Sequence, residues 1–138
     1  MKKYTWASFV FSLFLVVIIY MANTGSNRLL GYLYTVPNFD KIGHFVLFGA
    51  LAFFVNRALG CKKTNLFGNI VLVGSMWVIS FVVLEEVSQI FIATRNFSIS
   101  DLMYDMVGIY IGGFMAVVTS QPVANLKALA FARKYGPV

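Results

Sequence analysis

The chain has 138 residues, enough for one small domain, and 59% of them are hydrophobic against only 12% charged. A water-soluble domain carries about 25% charged residues, so most of this surface faces something other than water. The net charge of +6 raises nucleic acid as a partner, but the basic residues are scattered in ones and twos between apolar blocks, which is the pattern of membrane flanks.

In chain order, the first apolar block runs from Thr5 to Ala22, inside a stretch without charge from Tyr4 to Asn27. It is long enough to span hydrocarbon. Lys2 and Lys3 resemble the basic start of a signal peptide. However, Ala22 is preceded two places earlier by Tyr20, so no A-x-A cleavage site follows, and the block reads as a retained membrane helix. The connection from Asn23 to Phe39 contains LLGYLYTV, whose aromatics suit an interfacial or re-entrant piece. A second block runs from Ile42 to about Leu59, with Lys41 and Arg57 at its ends. A third starts near Asn69 and reaches Glu85 and Glu86, and a fourth starts near Leu102 with Asp105 in its first turns. The expected fold is all-α: one domain over residues 1–138, an integral membrane bundle of four transmembrane helices at about 5–22, 42–59, 69–90 and 101–120. The tail after Pro122 reads as a helix continuation or an interfacial segment. A soluble four-helix bundle fails for want of polar residues to clothe it. Cys61 is alone, cannot form an internal disulfide, and reads as a small residue near a basic turn.

Lysine and arginine give an orientation. Eight lie at the N-terminus, in the loop between helices two and three, and in the tail; Arg28, Lys41 and Arg95 lie on the other side. The positive-inside rule places both termini in the cytoplasm. All five acidic residues (Asp40, Glu85, Glu86, Asp101 and Asp105) then fall at the outer end.

The acidic end holds the candidate site residues. Asp40 and His44 are four apart, hence on one face of a helix that begins there, although Asp40 serves equally well as an N-cap. Glu86 and Gln89 lie within about 60° on a helical wheel. Asp101, Asp105, Gly108, Gly112 and Ala116 form one stripe, and its G-x-x-x-G allows close helix approach. Ser98 and Ser100 are both candidate caps for the fourth helix. Arg95, the strong cation of that loop, fits either a structural salt bridge or a bidentate grip on phosphate or carboxylate. Ionisable groups near a membrane core point to function by default, with a structural polar network as the competing reading.

The run DKIGHF, an apolar helix, EEVSQIF, an arginine, an aspartate and GIYIG together resemble the VanZ-like family of small bacterial membrane proteins. The resemblance covers Asp40 to Gly112 and rests on Asp40, Lys41, His44, Phe45, Glu86, Gln89, Arg95, Asp101 and Gly108. Asp105 departs from it, standing where the family usually has asparagine. The resemblance implies a multi-pass protein of the bacterial cytoplasmic membrane. Through the family's founding members it implies a tie to glycopeptide (teicoplanin-type) resistance, without a settled biochemical activity.

Three functions compete. The first is a binding or accessory envelope protein that holds an anionic lipid or cell-wall precursor at Asp40, Lys41, His44, Glu86, Gln89, Arg95, Asp101 and Asp105. The second is a membrane enzyme on a lipid-linked phosphate, with His44, Glu86 and Asp105 in acid–base roles. The third is a structural bundle or small transporter. No Ser-His-Asp spacing, H-E-x-x-H or glycine-rich phosphate loop is present, so whether the chain is an enzyme stays open. No cofactor motif appears either. A single histidine argues against zinc, whereas the oxygen-rich set admits Mg²⁺ or Ca²⁺. The bilayer is the expected partner, and nucleic acid is not.

Overall fold

The computed structural model describes residues 2–24, 37–92 and 95–135, with side chains described between residues 3 and 121 of these. The elements are α1 (Lys2–Thr24), α2 (Phe39–Ala58), β1 (Lys63–Leu66), β2 (Asn69–Leu72), α3 (Val73–Ser88) with a 3₁₀ turn at Gln89–Phe91, and α4 (Ile99–Tyr135). Four segments are long and apolar enough to cross a membrane: Lys3–Thr24, Phe39–Ala58, Val73–Phe91 and Ile99–Gln121. The chain is thus mostly helical, with the four expected helices long and apolar enough to span a membrane. The LLGYLYTV connection lies outside the described residues, as does Arg28. The tail is a helix continuation, since α4 runs unbroken to Tyr135.

Between α2 and α3 lies an antiparallel hairpin that the sequence reading did not foresee, and residues 69–72, expected to open helix three, form its second strand. Leu66 pairs with Asn69, so Phe67 and Gly68 make the turn, both at positive φ (49° and 82°). That is the backbone of a type I′ hairpin turn, which glycine accepts freely and phenylalanine does not. Asn65 offsets the strain by accepting the Gly68 N–H at 2.9 Å.

α2 starts after Pro37 and Asn38, with Asn38 in the left-handed region (φ 58°) and its carbonyl accepting the Ile42 N–H. Asp40 lies in the first turn and Arg57 in the last, each complementing the helix dipole. Asp40 is thus not the N-cap. For α4, Ser98 is the cap: its hydroxyl accepts the Asp101 N–H at 3.3 Å.

The core is small and draws on all four helices: Leu15; Phe48, Leu51 and Ala52; Val78 and Val82; and Ile109. α1 runs antiparallel to α2, with Tyr4 edge-on to Phe53 and Phe11 against Phe54. The tightest pairing is α2 with α4. A Cβ on Gly108 would collide with the Phe45 carbonyl, one on Gly112 with the Gly49 carbonyl, and one on Gly49 would come within 3.0 Å of the Gly108 carbonyl oxygen. These glycines let the two backbones touch, as the G-x-x-x-G spacing predicts. The outer surface carries exposed Trp6, Phe9, Leu13, Trp77, Leu84 and Phe114, a coat suited to lipid rather than water.

Candidate functional site

Because α2 and α4 both start, and α3 ends, at the acidic end of the bundle, three segments distant in sequence meet there. α2 contributes His44, one turn in from its start. Its Nδ1 lies 3.0 Å and 3.2 Å from the two carboxylate oxygens of Asp105 on α4. Asp105 is completely buried. The close α2–α4 backbone contact, with Phe45 against Gly108, is what brings the imidazole and carboxylate together. The His44 ring also stacks obliquely on Phe48, 5.8 Å between centroids, which fixes its plane.

α3 contributes Glu86, likewise fully buried. Its carboxylate accepts the Ser98 backbone N–H at 2.6 Å and the Gln89 side-chain amide at 3.1 Å. That amide also donates to Glu85, at 3.1 Å and 3.2 Å. Glu86 is therefore the fastener between the end of α3 and the start of α4. Each of His44, Glu86 and Asp105 offers an atom that lies within 4.8 Å of the others.

At the rim, Lys41 pairs with Asp40 at 3.3 Å and reaches Asp101 at 3.8 Å. Asp101 belongs to the cap of α4, where Ser98, Ser100 and Asp101 bond one another.

A third part of the site is a groove of about 370 Å³. Its walls are apolar: Leu15, Ile18 and Ile19 of α1 face Ile42, Val46 and Leu47 of α2. Its polar end is made by Asp40, His44, Glu85 and Arg95. His44 thus touches both the buried carboxylate cluster and the groove.

Of the residues read from sequence, His44, Glu86, Gln89 and Asp105 form one buried cluster, Asp40, Lys41 and Asp101 form the rim, and Arg95 lines the groove. The sequence reading missed the part played by α1, whose apolar residues carried no sign of a groove. Glu85, four residues before Gln89, was read from the sequence but not placed among the candidate site residues, although it bonds Gln89 and lines the groove; the part of the Ser98 amide was not foreseen. The i, i+4 spacing of Glu85 and Gln89 was the available signal.

A family described as VanZ/LLP1 matches residues 2–120, which includes every residue of the cluster, rim and groove. The chain belongs to that family. No curated protein and no solved structure gives a significant match. The VanZ/LLP1 match extends well beyond Asp40–Gly112 and takes in α1, the wall of the groove opposite α2.

Proposed function

We propose that this VanZ/LLP1 protein binds an anionic envelope lipid or lipid-linked cell-wall precursor, with the head group at the polar end of the α1–α2 groove and the chain along its apolar walls. The groove carries this reading, because it is apolar along its length and ends at Asp40, His44, Glu85 and Arg95. Binding sites of this kind are mostly apolar, with a few placed polar groups. A guanidinium suits a phosphate, and the carboxylates suit hydroxyls or a cation. In this reading the acidic end lies at the outer leaflet of a bacterial cytoplasmic membrane, both termini lie inside, and altered susceptibility to teicoplanin-type glycopeptides is the expected phenotype.

The test is lipid retention. Protein released from nanodiscs holding equal phosphatidylglycerol and phosphatidylethanolamine is analysed by native mass spectrometry. Preferential retention of the anionic lipid is expected, with the preference falling about tenfold or more in Arg95→Gln, since charged hydrogen bonds are worth about 1.5–3 kcal/mol. Equal retention of both lipids by the wild-type protein refutes the reading.

A second reading has its own support. A carboxylate on Nδ1 orients an imidazole and leaves Nε2 to move a proton, and His44 lines the groove. A membrane enzyme acting on a lipid-linked phosphate would use that pair. Turnover of such a lipid by the reconstituted protein, abolished in His44→Gln, would favour it over binding alone.

A further inference from the structure

We infer that His44, Glu86 and Asp105 form a binding site for one divalent cation, of the size and hardness of Mn²⁺. Charge is the starting point. Two carboxylates with no solvent exposure lie within 4.8 Å of each other, and one imidazole is grouped with them. Lys41 is engaged at the rim with Asp40 and Asp101. With both carboxylates ionised, a charged His44 balances only one of them, and burying an uncompensated charge is costly. A bound cation removes that cost.

Gln89 supplies an independent sign. It is 1% exposed, and its amide nitrogen is held by Glu85 and Glu86. Its Oε1 is buried without a hydrogen-bond partner among the described residues. On the side chain that holds Glu86, this oxygen is a hard donor available to a cation.

The spacing of the His44–Asp105 pair suits such an ion. Donors about 2.1 Å from a metal and at right angles to each other lie about 3.0 Å apart. The His44 Nδ1 and the Asp105 oxygen are separated by 3.0 Å. The Ser98 N–H and the Gln89 amide orient Glu86 from outside, as outer-shell hydrogen bonds orient ligating carboxylates. One imidazole with two or three oxygens favours Mn²⁺ over Ca²⁺, which prefers six to eight oxygens. Protein ligands on α2, α3 and α4 leave positions of an octahedral ion for water or for an oxygen of a bound head group, since His44 also lines the groove. The cation site goes beyond the lipid-binding reading and stands without it.

The experiment uses the full chain in detergent, stripped with a chelator and free of added lipid. Mn²⁺, Mg²⁺ and Zn²⁺ are each titrated, and bound metal per chain is measured by equilibrium dialysis. The expected result is one Mn²⁺ per chain, with affinity falling at least tenfold in Asp105→Asn and in Glu86→Gln. Bound ion should also raise the unfolding temperature of the wild type but not of these variants. If either variant fails to fold, His44→Gln, checked by circular dichroism, replaces it. Failure of Mn²⁺ to bind at one per chain, whatever Mg²⁺ or Zn²⁺ does, overturns the inference. So does binding that survives in the folded variants, which would place the ion on Asp40, Glu85 or Asp101 instead. Because no lipid is present, a negative result leaves the lipid-retention test unaffected.

Discussion

Gly112→Ala should destabilise the protein, and Gly43→Ala should stabilise it, although both put the same methyl group on a helix. In a helix interior alanine is favoured over glycine by about 1 kcal/mol. At Gly43 a Cβ meets nothing within 4 Å, so that gain is realised. At Gly112 the new atom would overlap the Gly49 carbonyl, which is backbone on the facing helix and has no rotamer to escape into. α2 and α4 must part, at a cost near the upper end of the roughly 1–3 kcal/mol seen for overpacking. The net effect at Gly112 is a loss of about 2 kcal/mol. The two variants should then differ by about 3 kcal/mol, more than a hundredfold in the unfolding equilibrium. Unfolding of both in mixed SDS and mild-detergent micelles, followed by far-ultraviolet circular dichroism, measures the difference. If Gly112→Ala proves as stable as Gly43→Ala, the close α2–α4 contact is wrong, and with it the device that sets the His44–Asp105 distance.

Glu86→Ala leaves the Ser98 N–H without its acceptor, so it should cost about 1–3 kcal/mol and markedly speed hydrogen exchange at the Ser98 amide; unchanged exchange there would refute the fastener role. At the other end, Asn56 is fully buried and donates to the Ala52 carbonyl at 2.8 Å and to Ser75 at 2.9 Å. Asn56→Ala should therefore lower stability by about 1–3 kcal/mol in the same unfolding assay, and a neutral result would show the bonds to be dispensable. In a Cys61→Ser background, a cysteine placed at Asn96 should react with an impermeant reagent from outside the cell, and one at Lys63 only after permeabilisation. The reverse pattern would invert the proposed orientation.

The four helices and the α4 stripe were legible because a membrane sets a length rule and a buried face a periodicity, and both are properties of local sequence. Asp101, Asp105, Gly108, Gly112 and Ala116 are all buried, as their spacing requires. The hairpin was not legible. Ile70, Val71 and Leu72 run straight into the apolar start of α3, and a short apolar run does not distinguish strand from helix. Its turn also uses Phe67 where asparagine or aspartate would have announced it. Within the site, spacing could place Glu86 beside Gln89, since both are on one segment. The meeting of Glu86 with the Ser98 N–H, or of α1 with the groove, depends on how segments pack. The choice between Asp40 as cap and Asp40 as rim residue likewise turned on backbone angles at Asn38 that no spacing encodes.

The account rests on the groove as the place where a lipid sits, and photo-crosslinking tests that most directly. An anionic lipid bearing a diazirine in its acyl chain is irradiated with the protein in nanodiscs, and the adducts are mapped by peptide mass. Adducts concentrated on Ile18, Ile19, Ile42 and Val46, and competed by unlabelled anionic lipid, are what the account predicts. Adducts spread evenly over the outer coat, at Trp77 and Phe114 as much as in the groove, would contradict it.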